Sequence, residues 1–127
     1  ILVFCDLMRG NGGTDGEHIV TEEELKSFAA TNMVQDWLSP DENVKVCQEA
    51  GWKNVTFIDL TSDIRLSFAG MLKKVQSILD CNDDDDDDDV AKDLDPQLLK
   101  TYQTNLASRI GQVDRGVFSW GVIHAEK

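Results

Sequence analysis

The chain has 127 residues, and its 24 acidic against 12 basic side chains leave a formal net charge of −12. A field of that sign repels phosphate backbones and anionic lipid headgroups, so neither nucleic acid nor a membrane surface is an expected partner. No apolar run approaches the roughly 18 residues that a membrane span needs, and the length allows at most one domain and suits one piece of a larger one.

Seven of the acids form a single run, Asp83–Asp89, and the rest is a moderately acidic body with ordinary hydrophobic content, 41% over the whole chain, which is the composition of a globular protein. Cys5, Cys47 and Cys81 are too scattered for a disulfide framework. With only His18 and His124 beside them they make no zinc site. A reducing, cytoplasmic compartment and no bound metal are the expectation. No charged leader precedes an apolar stretch, and because the chain starts without Met its targeting is unreadable.

Ile1 to Cys5 is an apolar run ending at Asp6, the pattern of a strand covered on both faces of a parallel sheet. Such a strand requires neighbours, and only two later segments can be strands. Between the first two strands lie two helices. Thr21 followed by Glu24 signs a capping box that opens a helix with Leu25, Phe28 and Ala29 on one face. Ser39-Pro40-Asp41-Glu42 opens the second, with proline at the first helical position, Val44, Cys47 and Ala50 inward, and Gly51 at its end. Asn54 to Leu60 is the second strand, with Val55, Phe57 and Asp59 on one face and Thr56, Ile58 and Leu60 on the other, both covered.

The apolar positions Ile64, Phe68, Met71, Leu72, Val75, Ile78 and Leu79 recur at helical spacing. After the acidic run, Asp95-Pro96 caps a further helix whose stripe is Leu98, Leu99, Tyr102, Leu106 and Ile110. These two helices form an insertion before the last strand, Val117 to Ala125. The fold class is α/β, and the insertion leaves the carboxyl end of a strand, the edge where open α/β sheets bind ligands. It reads equally as a lid or as a plain packing layer.

Few residues carry a chemical signal. Arg9-Gly-Asn-Gly-Gly-Thr-Asp-Gly16 stands where a dinucleotide loop would. It reads instead as a flexible loop, because Asp15 replaces the third glycine and Glu17 and Glu22 to Glu24 add negative charge where a phosphate would sit. The aspartate run lacks the alternating ligands of a shaped calcium loop and reads as a solvated, disordered linker over residues 82–92. His124 reads as structural. Asp6, at the carboxyl edge of a buried strand, faces either a ligand or a helix N-terminus. No nucleophile, oxyanion loop or metal cluster is evident, which argues against a hydrolase or metalloenzyme.

The order of an apolar strand ending in Asp6-Leu7-Met8, a helical pair, QEAGWKNVTFIDLT from Gln48 to Thr61, a helical insertion and the closing GVFSWGVIHAEK resembles the C-terminal half of a class I S-adenosylmethionine-dependent methyltransferase. Within that class it is most similar to the sarcosine and dimethylglycine N-methyltransferases that form glycine betaine. The resemblance implies a Rossmann-like sheet made of strands five to seven, the last antiparallel, with residues 1–127 as the substrate-side portion of one domain. It also implies S-adenosylmethionine as cofactor, held by an N-terminal half of the same domain, since the family's glycine-rich loop and ribose-binding acid have no counterpart here.

The expected partners are that half and a small-molecule methyl acceptor. Enzymes of this kind mainly position the nucleophile and strip water from it, so no catalytic residue is assigned. Asp6, Met8, Trp37, Arg65 and Phe68 are the candidate walls of the acceptor site. An aromatic face and a carboxylate suit a methylated ammonium, and an arginine suits the acceptor's own carboxylate. Two other readings stay open: a noncatalytic α/β interaction module that uses the acidic run, and a fragment of a nucleotide-binding oxidoreductase that uses the glycine loop.

Overall fold

In the computed structural model, residues 1–10, 20–34, 37–81 and 94–127 are described. The chain forms β1 (Leu2–Arg9), α1 (Glu22–Thr31), α2 (Pro40–Glu49), β2 (Lys53–Asp59), α3 (Thr61–Cys81), α4 (Pro96–Asp114) and β3 (Phe118–Glu126). The expectations for the Gly10 to Gly16 loop beyond its first residue, and for the acidic run, lie outside the described residues. Two compact units are present, one made of Ile1–Ile64 with Gln112–Lys127 and the other of Arg65–Gly111.

The first unit is a mixed α/β structure around a three-stranded sheet of order β1-β3-β2. β3 is antiparallel to both neighbours, as expected of the last strand, so β1 and β2 run parallel to each other with β3 between them. The β1 ladder is unbroken from Leu2 opposite Ala125 to Arg9 opposite Phe118. The β2 ladder carries an irregularity between Lys53 and Thr56. There Asn54 takes a φ of 47°, a left-handed conformation that asparagine tolerates better than most residues, and its amide donates to Glu126 Oε2 at 2.7 Å.

Three features of the strands differ from expectation. β1 does not end at Asp6: pairing continues to Arg9, because the β3 backbone offers partners along the whole length and the ladder is indifferent to polar side chains. The two-sided cover is also incomplete among the described residues. Leu2, Phe4 and Met8 share one face with Ile123 and Phe57 and pack with Cys47 and Val44 of α2, whereas on the opposite face Val3 is 59% and Ile58 is 51% exposed. Finally, the strand read as starting at Asn54 starts at Lys53.

Helix α1 shows half of its expected capping box. The Thr21 hydroxyl accepts from the Glu24 N–H at 3.2 Å, but the Glu24 carboxylate is drawn away to an ion pair with Arg115. In α2 both halves form: Ser39 Oγ accepts from the Glu42 N–H, and Glu42 Oε2 accepts from the Ser39 N–H at 2.7 Å. Cys47 is buried, but Ala50, expected inward, is the exposed C-cap, and Gly51 follows it with a φ of 86°.

In the second unit, α3 and α4 enclose Val75, Leu99 and Leu106, with Phe68, Met71, Leu72, Ile78 and Leu79 packed against them. The expected α4 stripe is rotated. Leu98 and Tyr102 are 63% and 43% exposed, because the buried line runs through Leu99 and Leu106, two turns apart. Asp95 Oδ1 caps the helix by accepting from the Gln97 N–H at 2.9 Å.

Two glycines permit the close approach of strands. A Cβ on Gly10 would meet the Gly116 carbonyl oxygen at 2.0 Å, and one on Gly121 would meet the Phe57 ring at 2.2 Å and the Ile58 carbonyl oxygen at 2.5 Å. The Ile58 carbonyl is held in a ladder, and Gly10 and Gly116 are held by hydrogen bonds to Val117 and Val113 just beyond one, so neither backbone withdraws freely. Gly121→Ala is therefore expected to destabilise the protein by about 1 to 3 kcal/mol, the usual penalty of overpacking. Gly10→Ala should cost at least as much. Urea midpoints at constant slope measure both, and a midpoint unchanged for either variant contradicts the assignment.

Candidate functional site

Arg9 joins three elements at the carboxyl end of β1. Its backbone N–H donates to the Leu38 carbonyl at 2.9 Å, it sits opposite Phe118 in the ladder, and its guanidinium meets Glu42 Oε2 at 2.6 Å. The same carboxylate oxygen closes the α2 capping box. Glu42 is held below its ordinary value of 4.5, chiefly by the Ser39 backbone N–H, with the Ser39 hydroxyl and Arg9 helping and partial desolvation opposing.

Beside this node lies a cavity of about 280 Å³ lined by Arg9, Glu22, Leu25, Lys26, Ala29 and Trp37. Trp37 forms one wall. Its ring stacks on Phe28 at 4.9 Å with a 17° interplanar angle, and its buried Nε1 has no hydrogen-bond partner among the described residues. The remaining lining comes from α1, where Glu22 and Lys26 are paired one turn apart at 3.6 Å. The space thus combines an indole ring, a carboxylate, a guanidinium and an ammonium at the carboxyl end of a sheet strand. That combination suits a small molecule bearing both signs of charge.

Of the five residues expected to form the acceptor wall, Trp37 alone lines this cavity. Asp6 lies inside β1, exposed, with Oδ1 accepting from the Leu7 N–H at 2.7 Å. It pairs with Gly121, whose other partner is Asp59, so two aspartates flank a glycine on one sheet face, roughly 10 Å apart at two interstrand spacings. Met8 is 1% exposed and part of the core between sheet and α2. Phe68 packs on the Val75, Leu99 and Leu106 cluster, and Arg65 is half-buried in α3; both belong to the second unit.

Sequence reasoning missed Arg9, Glu22 and Lys26 as cavity residues. Leu25 and Ala29 were legible as one apolar helix face, but their spacing says nothing of what that face meets. Among the described residues no group of three potential ligands could hold a metal ion, and no helix is long and apolar enough to cross a membrane.

No family model matches the sequence, and no curated protein matches it. The fold does have solved counterparts. The structure is similar to phosphoethanolamine N-methyltransferase 2 of Haemonchus contortus in complex with phosphomonomethylethanolamine and S-adenosylhomocysteine, with a TM-score of 0.75 at 8% identity over 98% of this chain and 26% of that one. It is also similar to the same organism's enzyme in complex with S-adenosyl-L-methionine, with a TM-score of 0.74 at 9% identity over 98% of this chain and 25% of that one. The chain thus spans about a quarter of the length of these methyltransferases, and it has the fold of that portion.

The Glu42 node gives a pH signature. A carboxyl depressed in the folded state contributes stability that is fully present above its unfolded value near 4.5 and is lost as pH falls through the lower folded value. Glu42→Gln should therefore lower stability at neutral pH and flatten the acid side of the profile. Urea midpoints of both proteins between about pH 7 and pH 3 test this. Parallel curves would remove Glu42 from the acid response.

Proposed function

We propose that this chain supplies the acceptor-side part of an S-adenosylmethionine-dependent N-methyltransferase acting on a small zwitterionic amine, with sarcosine and dimethylglycine as the first candidates. The observation that supports it most is the match of 98% of the chain to solved N-methyltransferases at a TM-score of 0.75. The cavity beside Arg9 and Trp37 adds the chemistry. The acceptor's ammonium would meet the indole face and a carboxylate, and its carboxylate a guanidinium. Arg9 and Trp37 are the proposed wall residues of this cavity, while Met8 and Phe68 are occupied by packing, Asp6 is exposed within β1 and Arg65 belongs to the second unit.

At about 280 Å³, the cavity beside Arg9 and Trp37 is smaller than the ~300 to 1,000 Å³ of sites for drug-sized ligands, and it is proposed for the acceptor alone. S-adenosylmethionine is assigned to an N-terminal half of the same domain, as the family resemblance implies, in a cytoplasmic protein. When bound, it supplies an electrophilic methyl group on a sulfonium. Two features of the sheet favour such a partner. β1 has no second neighbour among the described residues, and the apolar face at Val3 and Ile58 is exposed. A parallel strand on that edge, with helices over that face, would complete the cover that the apolar pattern of Ile1 to Cys5 demands.

The test is methyl transfer from labelled S-adenosylmethionine by the full-length protein to a panel of sarcosine, dimethylglycine and phosphomonomethylethanolamine. Transfer to an amine supports the reading, and absence of both transfer and cofactor binding overturns it. Within an active enzyme, Arg9→Ala should raise the Michaelis constant for the acceptor by roughly 10- to 100-fold, the loss of a charge-assisted contact worth about 1.5 to 3 kcal/mol, with little change for the cofactor. Constants unchanged for both substrates would confine Arg9 to its structural pairing with Glu42.

A further inference from the structure

Phe28 is not itself in the cavity lining, yet it stacks on a residue that is, the Trp37 ring. It is 4% exposed and sits between two aromatic neighbours: Trp37 on one side, and Phe118 at 5.1 Å and 21° on the other. Phe118 is itself 1% exposed and locked in the ladder opposite Arg9. A stack of three near-parallel rings therefore runs from the central strand to the cavity wall. Trp37, in contrast, stands in the short connection before α2, where no ladder fixes its backbone.

Two further contacts hold the frame around the stack. The Glu24 carboxylate pairs with Arg115 just before β3, which ties α1 to that strand. The Arg9 N–H holds the Leu38 carbonyl, the peptide that follows Trp37. The tilt of the indole follows the ring on which it stacks. Attraction between a cation and a ring requires the cation to lie over the ring face, within about 6 Å of its centre, and fades when the ring presents its edge.

We propose that Phe28 is a positioning residue that orients the Trp37 indole so that its face, not its edge, meets the methylated ammonium of the acceptor. This rests on the reading above that Trp37 belongs to the acceptor wall. It carries a specificity consequence: the stack should favour a charged amine over its uncharged carbon isostere, since an apolar group packs against either presentation of the ring. Dimethylglycine and 3-methylbutanoate differ in that one atom, and both keep the carboxylate.

Equilibrium binding of this pair to the full-length protein, by titration calorimetry without turnover, is the test. If another panel amine is the acceptor, it and its own carbon isostere replace the pair. The native protein should bind the ammonium compound about tenfold more tightly than the isostere. Phe28→Leu should collapse that ratio towards one by weakening the ammonium compound alone. Phe28→Tyr, which keeps the ring, should restore it, and Trp37→Leu should abolish it whether or not Phe28→Leu folds. Ile123→Val, a packing loss on the opposite sheet face, should lower stability and leave the ratio unchanged. A ratio that survives Phe28→Leu, falls equally for both ligands, or survives Trp37→Leu overturns the inference. Failure of the full-length protein to methylate any amine would instead overturn the functional reading.

Discussion

The structure depends on one placement, the insertion of β3 between β1 and β2. The last strand of the chain runs antiparallel into a gap between two strands that point the same way. Its inward residues Ile123 and Ala125 are fully buried. The gap admits a strand only where side chains stay out of the way, and at the crossing of the Asp6 and Asp59 rows β3 carries Gly121, with the Phe57 ring and the Ile58 carbonyl filling the space a side chain would need. The hydrogen bonds extend past the last ladder pair: the Leu60 N–H donates to the Trp120 carbonyl at 2.8 Å, and the Thr61 hydroxyl accepts from the Trp120 N–H at 3.0 Å. The start of α3 is thereby tied to the central strand.

The second organising feature is the Arg9 node. One residue at the end of β1 binds the peptide before α2 through its backbone and the α2 capping box through its side chain. The ion pair is half-exposed, so its Coulomb contribution is modest. Its value lies in geometry: the carboxylate that satisfies the Ser39 N–H is the one that meets the guanidinium, so capping the helix and docking it on the sheet are a single event. Trp37 lies immediately before this anchored peptide, and the cavity forms where α1 crosses the same corner.

The likeness to solved N-methyltransferases concerns the fold, and at 8–9% identity nothing in it transfers a residue role. The chemical content comes from this chain's own cavity, where an aromatic ring and charges of both signs meet. A reaction that needs mainly orientation and exclusion of water asks for such walls and for few reactive groups. The stack that holds Trp37 belongs to the same logic, because an aromatic contact to a cation depends on direction as much as on distance.

How much of this was legible in the sequence follows from the range of the forces involved. Capping at Thr21, Ser39 and Asp95, the turn at Gly51 and the two long helices of the insertion are local, set by contacts three or four residues apart, and the sequence by itself determined them. It also determined which segments are strands, while the antiparallel place of the last one was implied by the family resemblance. Tertiary structure decided what lies beyond that range. Pairing with β3 carried β1 past Asp6 to Arg9 and placed Met8 in the core. Arg115 took Glu24 from its capping box. The buried line of α4 settled on Leu99 and Leu106, leaving Leu98 and Tyr102 outside. The cavity itself was not legible, because Arg9, Trp37 and α1 lie far apart in the chain. The packing of Phe28 against Phe118 and Trp37, with the Arg9–Leu38 hydrogen bond and the Glu24–Arg115 pair, brings their chemistry to one place.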